Sequence, residues 1–86
     1  MNDDILELKI FVNKSKLRFE VLKNLGKEPQ IAVFLSKKLD KHRSVISQVF
    51  LDLSEKGLCE CINPEQDRYR RYVLTDLGKV VLKSFD

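Results

Sequence analysis

Histidine is nearly absent from this chain and cysteine scarce, and no long apolar run interrupts its 86 residues. One histidine and two cysteines are too few donors for the four-ligand set of a structural zinc. The cysteines, Cys59 and Cys61, read as structural thiols in a reducing compartment. They are expected on opposite faces of a strand, where a disulfide or a shared metal would be awkward. No cofactor is expected. No stretch approaches the ~18–20 consecutive apolar residues of a membrane-spanning helix. The opening MNDDILELK is acidic and lacks the basic-then-apolar order of a secretion signal. A cytoplasmic protein with no membrane partner is therefore the expectation. Glycine-rich phosphate loops are missing, as is any Ser or Cys nucleophile beside a plausible base, so the chain does not read as an enzyme.

What is present suits one compact domain. Hydrophobic residues make up 43% and charged residues 34%, a balance that supports a small core and argues against disorder. The net charge of +3 is mild, but its placement is local. Residues 36–48 carry Lys37, Lys38, Lys41 and Arg43 against Asp40 alone, whereas residues 51–60 carry Asp52, Glu55 and Glu60 against Lys56.

The periodicity predicts an N-terminal helix over residues 1–13, with Asn2 or Asp3 as its cap and acids at its positive end. A second helix over 15–25 carries Leu17, Val21, Leu22 and Leu25 at helical spacing. Ser15 or Asn13 would cap it and Gly26 would end it. Residues 30–39 read as a further helix with a stripe of Ile31, Leu35 and Leu39. Residues 43–56 read as another, with Ile46, Val49, Phe50 and Leu53 facing inward and Gly57 as its natural stop. The period then changes: Leu58–Ile62 and Tyr69–Leu74 suit two strands separated by the polar NPEQDR. Thr75-Asp76 would cap a last helix whose inward stripe is Leu77, Val80 or Val81, and Phe85. The fold class is mainly α with a small β-hairpin (α+β): a helix-turn-helix over 30–57, a wing over 58–74 and a C-terminal helix over 75–86. That order is a winged helix-turn-helix in a single domain.

The run EKGLCECINPEQDRYRRYVLTDLGKVVLK resembles the end of archaeal winged helix-turn-helix transcriptional regulators of the broad MarR/ArsR-like class. Leu53, Glu55, Gly57, Leu58, Cys61, Asn63, Pro64, Glu65, Tyr72, Leu74, Thr75, Gly78, Val81 and Leu82 fill that pattern in order. FVNKSKLRFEVLKNL is similar to the family's opening helix. Two departures stand out: the family often has Gly where Asp40 sits, and often Gly near Tyr69. The resemblance implies sequence-specific binding of double-stranded DNA.

With its apolar side inward, the helix over 43–56 offers Arg43, Ser44, Ser47 and Gln48 near its start. Arg can fork onto guanine and Gln onto adenine, while Ser reaches a base or a phosphate. Lys37, Lys38, Lys41 and His42 flank that helix and would meet phosphates, with Lys14 and Lys16 as further backbone contacts. In the wing, Arg68, Tyr69, Arg70 and Arg71 would lie along the backbone or enter the minor groove, although Glu65 and Asp67 reduce the charge there. Apolar surplus at Ile5, Leu8, Phe11, Leu82 and Phe85 is expected to serve a homodimer. A chain this small leaves little room for a ligand domain, so a small-molecule effector would bind at a dimer interface or between helices. The alternative reading is a protein-interaction winged helix without specific DNA binding, which the exposed positions of Leu51 and Tyr69 would suit.

Overall fold

The computed structural model describes residues 2–86, with side chains from residue 4 onward. The capping role expected of Asn2 or Asp3 lies outside the described side chains. Helix α1 (Asn2–Asn13) turns Ile5, Leu8, Phe11 and Val12 toward the core. Ser15 then caps α2 (Lys16–Lys27), its Oγ accepting the Arg18 N–H at 3.2 Å. Val21, Leu22 and Leu25 are buried on α2, and Leu17 is half-buried.

Gly26 does not end α2, contrary to the expectation above; the helix runs on to Lys27. The stop is Pro29, which forces Glu28 into an extended conformation (φ −168°, ψ 163°). Gly26 instead lets α2 approach the C-terminal helix, since a Cβ there would collide with Leu82.

The next element is also corrected. Residues 30 and 31 form a short strand, β1 (Gln30–Ile31), and only then does α3 (Ala32–Leu39) begin. The expected hairpin is therefore a three-stranded antiparallel sheet of order β1-β3-β2, with β2 at Cys59–Cys61 and β3 at Arg71–Leu74. Gln30 pairs with Tyr72 and Ile31 with Arg71, while Cys59 pairs with Leu74 and Cys61 with Tyr72. The separation expected between the thiols fails for a simple reason. Strand side chains alternate with a period of two, so Cys59 and Cys61 share a face. Both are free thiols.

Between the strands, α4 (Arg43–Glu55) buries Ile46, Val49, Phe50 and Leu53, the face its spacing predicts. Phe50 stacks on Tyr72 of β3, ring centroids 4.5 Å apart, and ties α4 to the central strand. Both helices of the helix-turn-helix end in the same backbone motif. After α4, Leu58 N–H donates to Leu53 C=O and Gly57 N–H to Ser54 C=O, each at 2.9 Å, with Gly57 at φ 75°. After α3, Lys41 N–H donates to Ser36 C=O at 2.9 Å and Asp40 takes the left-handed position at φ 54°. The second residue of that conformation is Tyr69 at φ 58°. The two departures from the family pattern, where glycine is usual, thus fall on the two non-glycine residues of positive φ among those described.

Helix α5 (Asp76–Lys83) is capped by Thr75, whose Oγ1 accepts the Gly78 N–H at 3.0 Å. The same hydroxyl donates to the Gly57 carbonyl oxygen, and Thr75 N–H donates to Leu58 C=O at 3.2 Å. Gly78 lies against this junction so closely that a Cβ would overlap the Leu58 carbonyl oxygen. That contact sets the rotation of α5. Gly78 and Val81 are buried and Leu82 and Phe85 half-buried, at i, i+3, i+4 and i+7. Leu77 points outward instead, 37% exposed, which corrects its expected inward placement; of the alternatives Val80 and Val81, Val81 is the buried one and Val80 is 50% exposed.

Two stability changes follow. Gly78→Ala drives a methyl into a backbone carbonyl and should cost about 2–3 kcal/mol, read as a Tm lower by ~10–20 °C in thermal unfolding. Asp40→Gly relieves the left-handed position and should gain about 0.5–1 kcal/mol in denaturant titration.

Candidate functional site

The turn between α3 and α4 sets the site. Leu39 and Asp40 close α3, and His42 then caps α4 with its ring: Nδ1 accepts the Ser44 backbone N–H at 3.2 Å. The Ser44 hydroxyl stands 2.8 Å from the same nitrogen. Ser44 is thus engaged at the helix start and remains exposed. Gln48, one turn on, is exposed and donates its amide to Asp52 at 3.0 Å.

Arg43 and Ser47 lie on the flank of α4 that faces the wing. With Leu51 they form one wall of an open cleft of about 670 Å³, whose other wall is Asp67, Arg68, Tyr69 and Arg70 and whose floor includes Ile31, Phe50 and Tyr72. The fold therefore gathers two of the reading candidates and three of the wing candidates around a single groove. Ser44 and Gln48 sit on the adjoining outer face. Lys37 and Lys38 end α3, Lys41 and His42 fill the turn, and all are exposed beside the start of α4. Lys14 and Lys16 are exposed elsewhere, at the α1–α2 junction. That junction adjoins the opposite end of α4, where Lys56 lies 5.3 Å from the Phe11 ring centroid.

The Asn63 side chain bridges the two sides of the wing loop. Asn63 Oδ1 accepts the Arg71 N–H at 2.7 Å while its Nδ2 donates to Tyr69 C=O at 3.3 Å. Arg70 Nε donates to Gln66 C=O at 2.7 Å, so part of its guanidinium is spent inside the loop. Tyr69 stacks on Phe34 of α3, centroids 6.2 Å apart and rings 19° from parallel, although Tyr69 is 61% and Phe34 57% exposed. Phe34 and Asp52 are two members of this face that sequence reasoning missed. The Gln-x-x-x-Asp spacing was a usable signal for Asp52; Phe34 gave none, because its partner lies across the fold. The residues expected to pair two copies, Ile5, Leu8, Phe11, Leu82 and Phe85, are half-buried against the chain's own core. The apolar side chains left exposed on α1 and α5 are Leu6, Ile10, Leu77 and Val80.

Comparison with protein-family models and with curated proteins finds no match for this chain. Solved structures do resemble it. Adhesin competence repressor (AdcR) from Streptococcus pyogenes superposes with a TM-score of 0.72 at 17% identity, covering 92% of this chain and 60% of its own. A MarR family transcription regulator gives 0.74 at 24% identity, covering 93% of this chain and 54% of its own. RV1404 from Mycobacterium tuberculosis gives 0.75 at 19% identity, covering 94% and 55% respectively. The winged helix-turn-helix fold is shared, and this chain spans between 54% and 60% of the length of these neighbours. Nothing in these likenesses carries the archaeal part of the sequence resemblance.

The thiols differ in reach. Cys59 is buried, its Sγ 3.4 Å from the Phe50 carbonyl oxygen, and burial together with the adjoining Cys61 pushes its pKa up to about 12. Burial likewise raises the Tyr72 hydroxyl. A raised pKa keeps Cys59 protonated in the folded state where the unfolded chain would already ionise. Its contribution to stability is therefore complete below the ordinary value of 9.0 and declines as pH rises toward about 12. Alkylation of the native protein at pH 8, followed by peptide mass analysis, should modify Cys61 well before Cys59.

Proposed function

We propose that this chain is a DNA-binding transcriptional regulator that lays the start of α4 in the major groove and its wing along the adjacent backbone or minor groove. The observation that carries this reading is the convergence of Arg43 and Ser47 with Arg68, Tyr69 and Arg70 on one groove, beside the exposed cations of the α3–α4 turn. Arg43, Ser44, Ser47 and Gln48 are the base readers in this reading. Lys37, Lys38, Lys41 and His42 supply phosphate contacts that carry affinity without sequence information. Arg68 and Arg71 are the wing cations whose side chains have no loop hydrogen bond of the kind Arg70 makes. Lys14 and Lys16 would serve DNA only if the duplex ran past the far end of α4. The regulator named among the structural neighbours supports the assignment through its fold.

The active form is a homodimer. Leu6, Ile10 and Val80 extend the half-buried stripe of Ile5, Leu8, Phe11, Leu82 and Phe85 onto the surface, where a second copy would cover them. A two-fold pair would set its reading helices about 34 Å apart on a palindromic site. Catalysis has no part in this reading, and the protein acts in the cytoplasm. A second reading, a protein-interaction module, draws on Leu51 at 50% exposure and the Phe34–Tyr69 pair on the same face.

Selection of bound duplexes from a random pool, then salt titration of the best one, separates the two. The expected result is an enriched palindrome. Arg43→Ala should weaken it by roughly tenfold or more and relax one base position. Lys41→Ala should weaken all duplexes alike and lower the salt slope by about one. Binding that is weak, sequence-blind and indifferent to Arg43→Ala would favour the protein-interaction reading.

A further inference from the structure

Gln48 and Asp52 stand four residues apart on the outer face of α4, so their side chains meet on successive turns. The bond between them has a direction that chemistry dictates. An ionised carboxylate only accepts, so the amide must turn its NH2 group toward Asp52 and its carbonyl oxygen elsewhere. A free glutamine has two amide orientations at its disposal; this one has a preferred orientation before any ligand arrives. Asp52 is half-buried while Gln48 is exposed, which keeps the carboxylate behind the amide it orients. Lys56, the cation one turn further on, lies over the Phe11 ring.

We infer that Asp52 is a positioning residue that fixes Gln48 as a reader of adenine and sets it against guanine. The inference rests on α4 being the major-groove helix. With one N–H given to Asp52, Gln48 retains one donor and one acceptor. Adenine presents the complementary pair, an N7 acceptor beside an N6 donor, whereas guanine presents two acceptors, N7 and O6. An unrestrained glutamine could answer guanine by donating both of its N–H groups, one to N7 and one to O6. Here the second N–H is held by Asp52, and withdrawing it would leave the carboxylate without its donor in a groove from which water has been displaced. In free solution such a helical pair contributes little; inside a dry interface the cost of breaking it rises. Asp52 thus shapes sequence preference without touching a base.

The test uses the full chain and the best selected duplex, with each base pair under α4 permuted in turn. Wild type should favour adenine over guanine by roughly tenfold or more at one position, and Gln48→Ala should erase that preference. Asp52→Ala and the near-isosteric Asp52→Asn should keep the affinity for adenine yet bring guanine within about threefold of it, at that position alone. Both variants should melt close to wild type, and the Gln48 side-chain amide resonances should shift in each. If Gln48→Ala erases the preference but neither Asp52 variant alters it, the positioning role is wrong while the groove reading stands. A uniform gain in affinity at every position would also overturn it, because Asp52 would then only repel phosphate. If no base is preferred anywhere, or Gln48→Ala changes none, the reading beneath it fails and takes the positioning role with it.

Discussion

The structure depends on the backbone contact at the end of α4. There the Gly57 and Leu58 carbonyls are taken up by the hydroxyl and N–H of Thr75, while Gly78 lies directly against Leu58. One threonine therefore joins the end of α4, the exit from β3 and the start of α5. Because Thr75 also caps α5 through Gly78, the same side chain fixes where that helix begins and how it is rotated. Phe50 against Tyr72 holds the middle of α4 to the same strand. The angle between α4 and the wing is set by these two attachments, and with it the width of the groove that Arg43 and Arg68 share.

A second constraint is conformational. The turn into α4 and the base of the wing loop both need a residue in the left-handed region, and this chain supplies Asp40 and Tyr69 rather than glycine. At Asp40 a short polar side chain makes the position tolerable. At Tyr69 the cost is larger, and the compensation visible is the Asn63 hydrogen bond to the Tyr69 carbonyl and the stack on Phe34. Strain of this kind sits where the candidate interface is, not in the core.

Much of this was legible in the sequence wherever a repeat of three and four residues had room to show itself. The buried face of α4 (Ile46, Val49, Phe50, Leu53) follows from spacing alone, and Gly57 and Thr75 announce the ends they form. What was not legible is non-local. A strand as short as β1 has no period to read, and it becomes a strand only because β3 lies beside it. The phase of α5 could not be told from its apolar residues, since Val80 and Val81 are equally apolar; the contact of Gly78 with Leu58 chooses between them. Gly26 looked like a stop because glycine usually is one, yet Pro29 ended the helix. At the candidate site, residue types at the start of α4 could be listed from position, but the partners of Tyr69 and of Ser44 depend on how the chain folds back and which rotamers it adopts.

The strand order has a consequence for how the molecule comes into being. β3 occupies the centre of the sheet but is the last strand in the sequence, and both β1 and β2 hydrogen-bond to it rather than to each other. A chain emerging from the ribosome would thus expose two strands, with the whole helix-turn-helix between them, before either had anything to pair with. The arrival of Arg71–Leu74 pairs both strands at once and completes the groove in the same step. Until then α3 and α4 can form as helices, but the face they are to present together has no second wall.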